Sequence, residues 1–125
     1  MPPAVAAFTD TYLPTVNGVT YTIAAWRDRY LARGGRMDVV YPESTYDPDC
    51  GEHPVRSVPF PFYEGYRLGA PSVPASVNDV DLVHAHTPFT LGMAGFRLAH
   101  REDLPLIVSY HTPTNEYASY LAPDS

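Results

Sequence analysis

An apolar run, a polar turn, a helical stretch and a second apolar run follow one another within the first 41 residues. That succession constrains the fold more than any other feature. "PAVAAF" (3–8) reads as a short buried strand closed by the turn "TDTYLPTVN". Asn17 is an N-cap candidate, because its side chain can accept from the free N–H groups of a first helical turn. Val19, Ile23, Trp26 and Tyr30 then recur at i, i+4, i+7 and i+11, one face of a helix. Gly34 and Gly35 supply its stop. "MDVVY" (37–41) is the second strand. Strand, helix and strand this close together form a βαβ unit with parallel strands, so the predicted class is α/β.

The pattern is less regular over residues 42–78, which are rich in proline and hold one strand-like stretch, "VRSV" (55–58). "VPFPFYEGY" carries too many aromatic residues for a linker and reads as an ordered functional excursion. Regularity returns at "DVDLVHAH" (79–86), a predicted strand centred on Val80, Leu82 and Val83. Thr87 is predicted to cap a helix with Pro88 at its first position. Leu91, Ala94 and Leu98 form its apolar stripe, with Arg97, His100 and Arg101 near the end whose dipole favours cations. Pro105 opens a last strand, "PLIVSY", and "HTPTNEYASYL" begins another helical pattern.

Charge narrows the range of partners. A net charge of −6 argues against a nucleic-acid partner, since phosphate binding needs clustered cations. All basic residues are arginine. Arginine-favouring codon usage or adaptation to high salt would each account for this, and a halophilic source is the reading favoured here. The lone cysteine, Cys50, fits a reducing compartment. No apolar run approaches the roughly 20 residues of a membrane span. "MPPAVAAFTD" lacks the basic start of a signal peptide, so a cytoplasmic location is expected.

In an open parallel sheet, ligands gather at the carboxyl ends of the strands. Three stretches fall there: "TDTYLPTVNGV", "HAHTPF" and "SYHTPTNEY". They place His84, His86, His111, Asp10, Asn17 and Glu116 on one rim. Asn17-Gly18 at a helix start offers free N–H groups and a positive dipole end, and Gly18 lets an anionic group approach the main chain. A diphosphate suits that description, and a tight strand-to-helix turn needs the same residues. His84 and His86 alternate onto one sheet face, one expected to be structural and the other to line a pocket. Without HxxEH or CxxC spacing, no metal site is expected. His111 could donate or accept a hydrogen bond near pH 7, with Glu116 in reach of the same pocket. No serine or cysteine stands in a nucleophile-elbow context.

"FTDTYLPTVNGVTYTI", "VPFPFYEGYRLGAPSV", "DLVHAHTPFTLGMAGFRLAH" and "PLIVSYHTPTNEYASYL" together resemble glycosyltransferase family 4. The nearest subgroup in appearance is the diacylglycerol glucosyltransferases and their sulfoquinovosyl- and mannosyl-transferring relatives. The resemblance implies a GT-B enzyme, with residues 1–125 forming a Rossmann-like, acceptor-side N-terminal domain: a parallel sheet with flanking helices. It further implies retaining transfer of a hexose from a nucleotide sugar, such as UDP-glucose or GDP-mannose, without cofactor or required metal. The acceptor would be a lipid hydroxyl, diacylglycerol-like, or that of a small molecule. Carried over residue by residue, Asn17, Gly18 and Val19 approach the donor diphosphate, and His111 contacts the transferred sugar as the catalytic residue. Tyr12, His86, Phe89 and Glu116 shape the acceptor site.

Two departures stand out. No counterpart of the family's C-terminal nucleotide-sugar domain is present, so the chain is expected to be an incomplete N-terminal portion, inactive alone. Relatives that dock on anionic lipid carry basic amphipathic surface, whereas this sequence is acidic; peripheral contact with the cytoplasmic membrane face stands as an expectation beside a soluble acceptor. The alternative is a non-catalytic α/β module that binds a nucleotide or lipid. An NAD-dependent oxidoreductase comes third, because GxGxxG is absent.

Overall fold

The computed structural model describes residues 2–60 and 66–109. Among these residues, seven strands and two helices occur in the order β1 (Ala4–Phe8), α1 (Gly18–Ala32), β2 (Arg36–Pro42), β3 (Glu52–Val55), β4 (Ser57–Pro59), β5 (Arg67–Gly69), β6 (Leu82–Ala85), α2 (Thr90–Arg101) and β7 (Leu106–Val108). Five of the strands form a parallel sheet ordered β3-β2-β1-β6-β7, and β4 pairs antiparallel with β5 in a separate ribbon. This is the predicted Rossmann-like α/β architecture.

Strand alternation explains how both faces of the sheet are filled. Val5 and Ala7 of β1, with Met37, Val39 and Tyr41 of β2, face α1 and pack on Val19 and Ile23. Ala6, Phe8, Val40 and Val83 face the other way and pack on Leu91, Ala94 and Leu98 of α2. Over the central strands β1 and β2 neither face is left to water, as expected of a parallel sheet covered by helices.

Local sequence sets the ends of α1 as predicted. Asn17 Oδ1 accepts from the Thr20 N–H at 2.9 Å. At the other end Gly34 takes φ +81°, a conformation that favours glycine, and its N–H bonds Leu31 O at 3.0 Å.

Three predicted boundaries need correction. "VRSV" is not one strand: β3 ends at Val55 and β4 starts at Ser57, so the chain leaves the parallel sheet at Arg56. The strand predicted over 79–86 is confined to Leu82–Ala85. Thr87 does not cap α2, and Pro88 is not its first residue. The helix starts at Thr90 after Phe89, which makes no side-chain cap bond. The reason is tertiary, because Asp10 captures the Thr87 hydroxyl at 2.5 Å.

The chain winds outward from β1 in two directions, through α1 to β2 and through α2 from β6 to β7. The strand order therefore reverses between β1 and β6. That junction is the topological switch point at which open α/β sheets leave a crevice.

Candidate functional site

The loops leaving β1 and β6 meet at this switch point and are fastened through one side chain. Asp10 follows the buried run of β1 and is itself fully buried. Its Oδ2 accepts from the Thr87 hydroxyl at 2.5 Å and the Phe89 N–H at 3.1 Å. Its Oδ1 accepts from the Leu91 N–H at 2.8 Å and the Thr90 hydroxyl at 3.3 Å. The carboxylate thus takes up N–H groups that the first turn of α2 cannot satisfy internally, at the end where the dipole favours an anion.

Beside this fastening, at the carboxyl ends of β1 and β2, opens a cleft of about 550 Å³. One wall is Asp10, Thr11 and Tyr12, continued by Pro14 and Thr15; Pro42 to Thr45 form another, and Tyr66 and Arg67 come from the β4–β5 ribbon. The Arg67 guanidinium is oriented by Ser57, whose hydroxyl accepts from Nε at 2.8 Å. Arg67 and Glu43 place opposite charges in the cleft lining beside Thr and Ser hydroxyls. Such a lining suits a polyhydroxylated ligand.

Tyr12 was expected to shape an acceptor site, and it does stand in the cleft wall. Its hydroxyl, however, donates to Glu52 Oε2 at 2.6 Å, and Tyr46 donates to Oε1 at the same distance. Tyr12 also packs against Tyr41, with ring centroids 4.8 Å apart. Burial, then the bond to Glu52, pushes the Tyr12 phenol well above its ordinary pKa. Tyr46 rises to about 12, mainly through its own bond to Glu52. Tyr12 is therefore a neutral, anchored wall.

His84 and His86 leave the same sheet face, as their spacing predicts, and stack with centroids 3.8 Å apart. The Trp26 indole lies 5.6 Å from His84 and 5.8 Å from His86. His84 Nε2 pairs with Ser109 Oγ at 2.5 Å. His84 is 9% and His86 2% exposed, so both rings are buried beside Trp26. Phe89 is half-buried edge-on against Phe60 and Tyr66 and links α2 to the ribbon.

The Asn17-Gly18-Val19 loop divides its tasks. Asn17 caps α1 and donates to Thr11 Oγ1 at 2.9 Å, while Val19 is buried in the core. Gly18 alone is open, since a Cβ there would meet nothing within 4 Å. His111 and Glu116 lie outside the described residues. Glu43, Glu52 and Arg67 were not foreseen in the sequence; only the aromatic excursion before Arg67 hinted at them. Among the described residues, no three His, Cys, Asp or Glu side chains converge on a metal position, and no helix is long and apolar enough to cross a membrane.

Comparison with known proteins locates this architecture. The family described as Glycosyltransferase Family 4 matches residues 16–124. The chain is similar to an alpha-monoglucosyldiacylglycerol synthase of Streptococcus pneumoniae, 28% identical over 94% of this chain and 29% of that protein. A protein of the same name from Acholeplasma laidlawii is 27% identical over 94% of this chain and 32% of its own length. A GDP-mannose-dependent alpha-mannosyltransferase of Mycobacterium tuberculosis is 28% identical, covering 92% and 34% respectively. The chain spans about a third of the length of these curated relatives.

Proposed function

The chain belongs to glycosyltransferase family 4, and from that membership we propose that it forms the acceptor-side domain of a retaining GT-B hexosyltransferase. The donor is a nucleotide-diphosphate sugar, UDP-glucose or GDP-mannose, and a second domain holds it. The acceptor is the hydroxyl of a diacylglycerol-like lipid or of a small polyol, met in the cleft between Tyr12, Glu43 and Arg67. Any membrane contact is peripheral.

One observation carries this reading. A cleft of about 550 Å³ opens at the carboxyl ends of β1 and β2, on the rim where α1 begins with the open Gly18. The α1 N-terminus offers main-chain donors to an incoming diphosphate, and the positive end of its dipole favours that charge. His111 is assigned to the transferred sugar, where it stabilises charge developing in the transition state, and Glu116 to the acceptor side. The names of the relatives support GDP-mannose as one donor, glucosyl transfer as the other chemistry, and a diacylglycerol acceptor.

The test is transfer by the full-length protein. UDP-glucose and GDP-mannose are each offered with diacylglycerol in mixed micelles and with soluble polyols, and the product's anomeric configuration is read by NMR. Retention with either donor supports the proposal. Nucleotide-sugar binding without transfer to any acceptor favours a non-catalytic module, and absence of both overturns the enzyme reading.

A further inference from the structure

We propose that Asp10 is a positioning residue that sets the geometry of the acceptor cleft by locking three elements together, and that it takes no proton in the reaction. Its consequence for catalysis rests on the glycosyltransferase reading above; the lock itself rests on geometry alone.

Every polar atom of Asp10 is engaged, and the partners belong to different elements. The main-chain N–H donates to Thr87 Oγ1 at 2.8 Å, and the same hydroxyl donates back to Oδ2 at 2.5 Å. That reciprocal pair ties the loop after β1 to the loop after β6. The carboxylate then holds the start of α2 through the N–H groups of Phe89 and Leu91. The Asp10 carbonyl accepts from the Arg67 N–H at 3.3 Å, which ties in the β4–β5 ribbon. Asp10, Tyr12 and Arg67 all line the cleft, so one residue fixes how its walls are spaced.

A buried carboxylate in a cleft invites assignment as a general base, but the arrangement argues otherwise. A base must reach the hydroxyl it deprotonates. Asp10 is fully buried, and its two oxygens already accept four hydrogen bonds from Thr87, Phe89, Thr90 and Leu91. No lone pair is left for a substrate proton. The contribution of Asp10 is preorganisation, which fails when a wall shifts by a fraction of an ångström.

The experiment compares Asp10→Asn, Thr87→Val and Thr87→Ser in the full-length protein, with diacylglycerol micelles as the acceptor probe and whichever nucleotide sugar the wild type uses. Asp10→Asn replaces an accepting oxygen by an amide that cannot accept, so KM for the acceptor should rise by about 10-fold or more. Nucleotide-sugar Kd and the shape of the pH–rate profile should stay as in the wild type, and the Phe89 and Leu91 amides should exchange faster. Thr87→Val should move the same readouts in the same direction, and Thr87→Ser, which keeps the hydroxyl, should restore them. A kcat loss of about 10³-fold with disappearance of the acid limb would make Asp10 a catalytic base and overturn the proposal. Unchanged KM and unchanged exchange would overturn it as well. If Asp10→Asn does not fold, the two Thr87 variants decide. A wild type that transfers no sugar to diacylglycerol or to any soluble polyol refutes the function proposed above instead, and amide exchange then decides the lock alone.

Discussion

Tyr12 donates a 2.6 Å hydrogen bond to Glu52, so the cleft wall that follows β1 is fastened to the edge strand β3. Tyr46 donates to the other carboxylate oxygen at 2.6 Å, and the Asp49 N–H adds a bond of 2.8 Å. Burial by itself raises the Glu52 pKa. The bonds from Tyr12, Tyr46 and Asp49, together with the Arg27 charge, outweigh that and hold the carboxyl below its ordinary 4.5.

A pH dependence follows from that sign. Glu52 is more acidic folded than unfolded, so its contribution to stability is complete above pH 4.5 and is lost as pH falls through the lower folded value. Glu52→Gln should cost about 1.5–3 kcal/mol at neutral pH, because bonds to a charged acceptor become bonds to a neutral one or vanish. The deficit should shrink below pH 4.5 as the wild type protonates. Thermal unfolding of the full-length protein from about pH 3 to about pH 7 reads both effects, and parallel curves for the two proteins would contradict the assignment.

Gly92 illustrates a case where helix propensity predicts the wrong sign. Alanine in a helix interior is favoured over glycine by about 1 kcal/mol. A Cβ on Gly92, however, would lie 1.8 Å from the Thr87 carbonyl oxygen, a backbone atom held in place by the contacts to Asp10. Gly92→Ala should therefore destabilise by about 1–3 kcal/mol or more, the range for overpacking. A denaturation midpoint at or above that of the wild type would refute the contact.

How far these features were legible in the sequence depends on where their causes lie. The strands β1 and β2 and the helix α1 were readable because apolar periodicity, the Asn17 cap and the Gly34 stop all act within a few residues. Thr87 misled because Thr-Pro is a sound local cap, and nothing nearby reveals that Asp10, 77 positions earlier, takes its hydroxyl. The strand β3 escaped because "EHPV" lacks apolar alternation; its order comes from pairing with β2, and as an edge strand it tolerates Pro54. Glu52 and Arg67 were missed for the same reason. Their positions depend on long-range pairing across the proline-rich stretch.

His111 is assigned its role through family resemblance, and kinetics can test it. In the full-length protein, His111→Ala should lower kcat on the order of 10²-fold, as expected when one electrostatic stabiliser is removed. Donor affinity should change little, because a contact made mainly in the transition state does not hold the ground state. Equal turnover in the variant would make the residue structural.

Gly18 separates two readings of the loop that opens α1. A turn requiring positive φ would make glycine structural, but among the described glycines only Gly34 and Gly51 take such angles. A Cβ at Gly18 would also meet no atom within 4 Å, so the fold has room for a side chain there. Gly18→Val consequently places a branched group in open space at the first turn of a helix, a conformation valine adopts readily. The melting temperature of the full-length protein should stay close to that of the wild type. If the main chain here faces the donor diphosphate, the two methyl groups stand between it and the phosphate oxygens. Nucleotide-sugar Kd should then rise and turnover fall, each by about 10-fold or more, equivalent to about 1.4 kcal/mol. Calorimetric titration with UDP-glucose and GDP-mannose, run beside thermal unfolding, distinguishes the outcomes. A folded variant that binds and turns over like the wild type would leave Gly18 without a ligand to face.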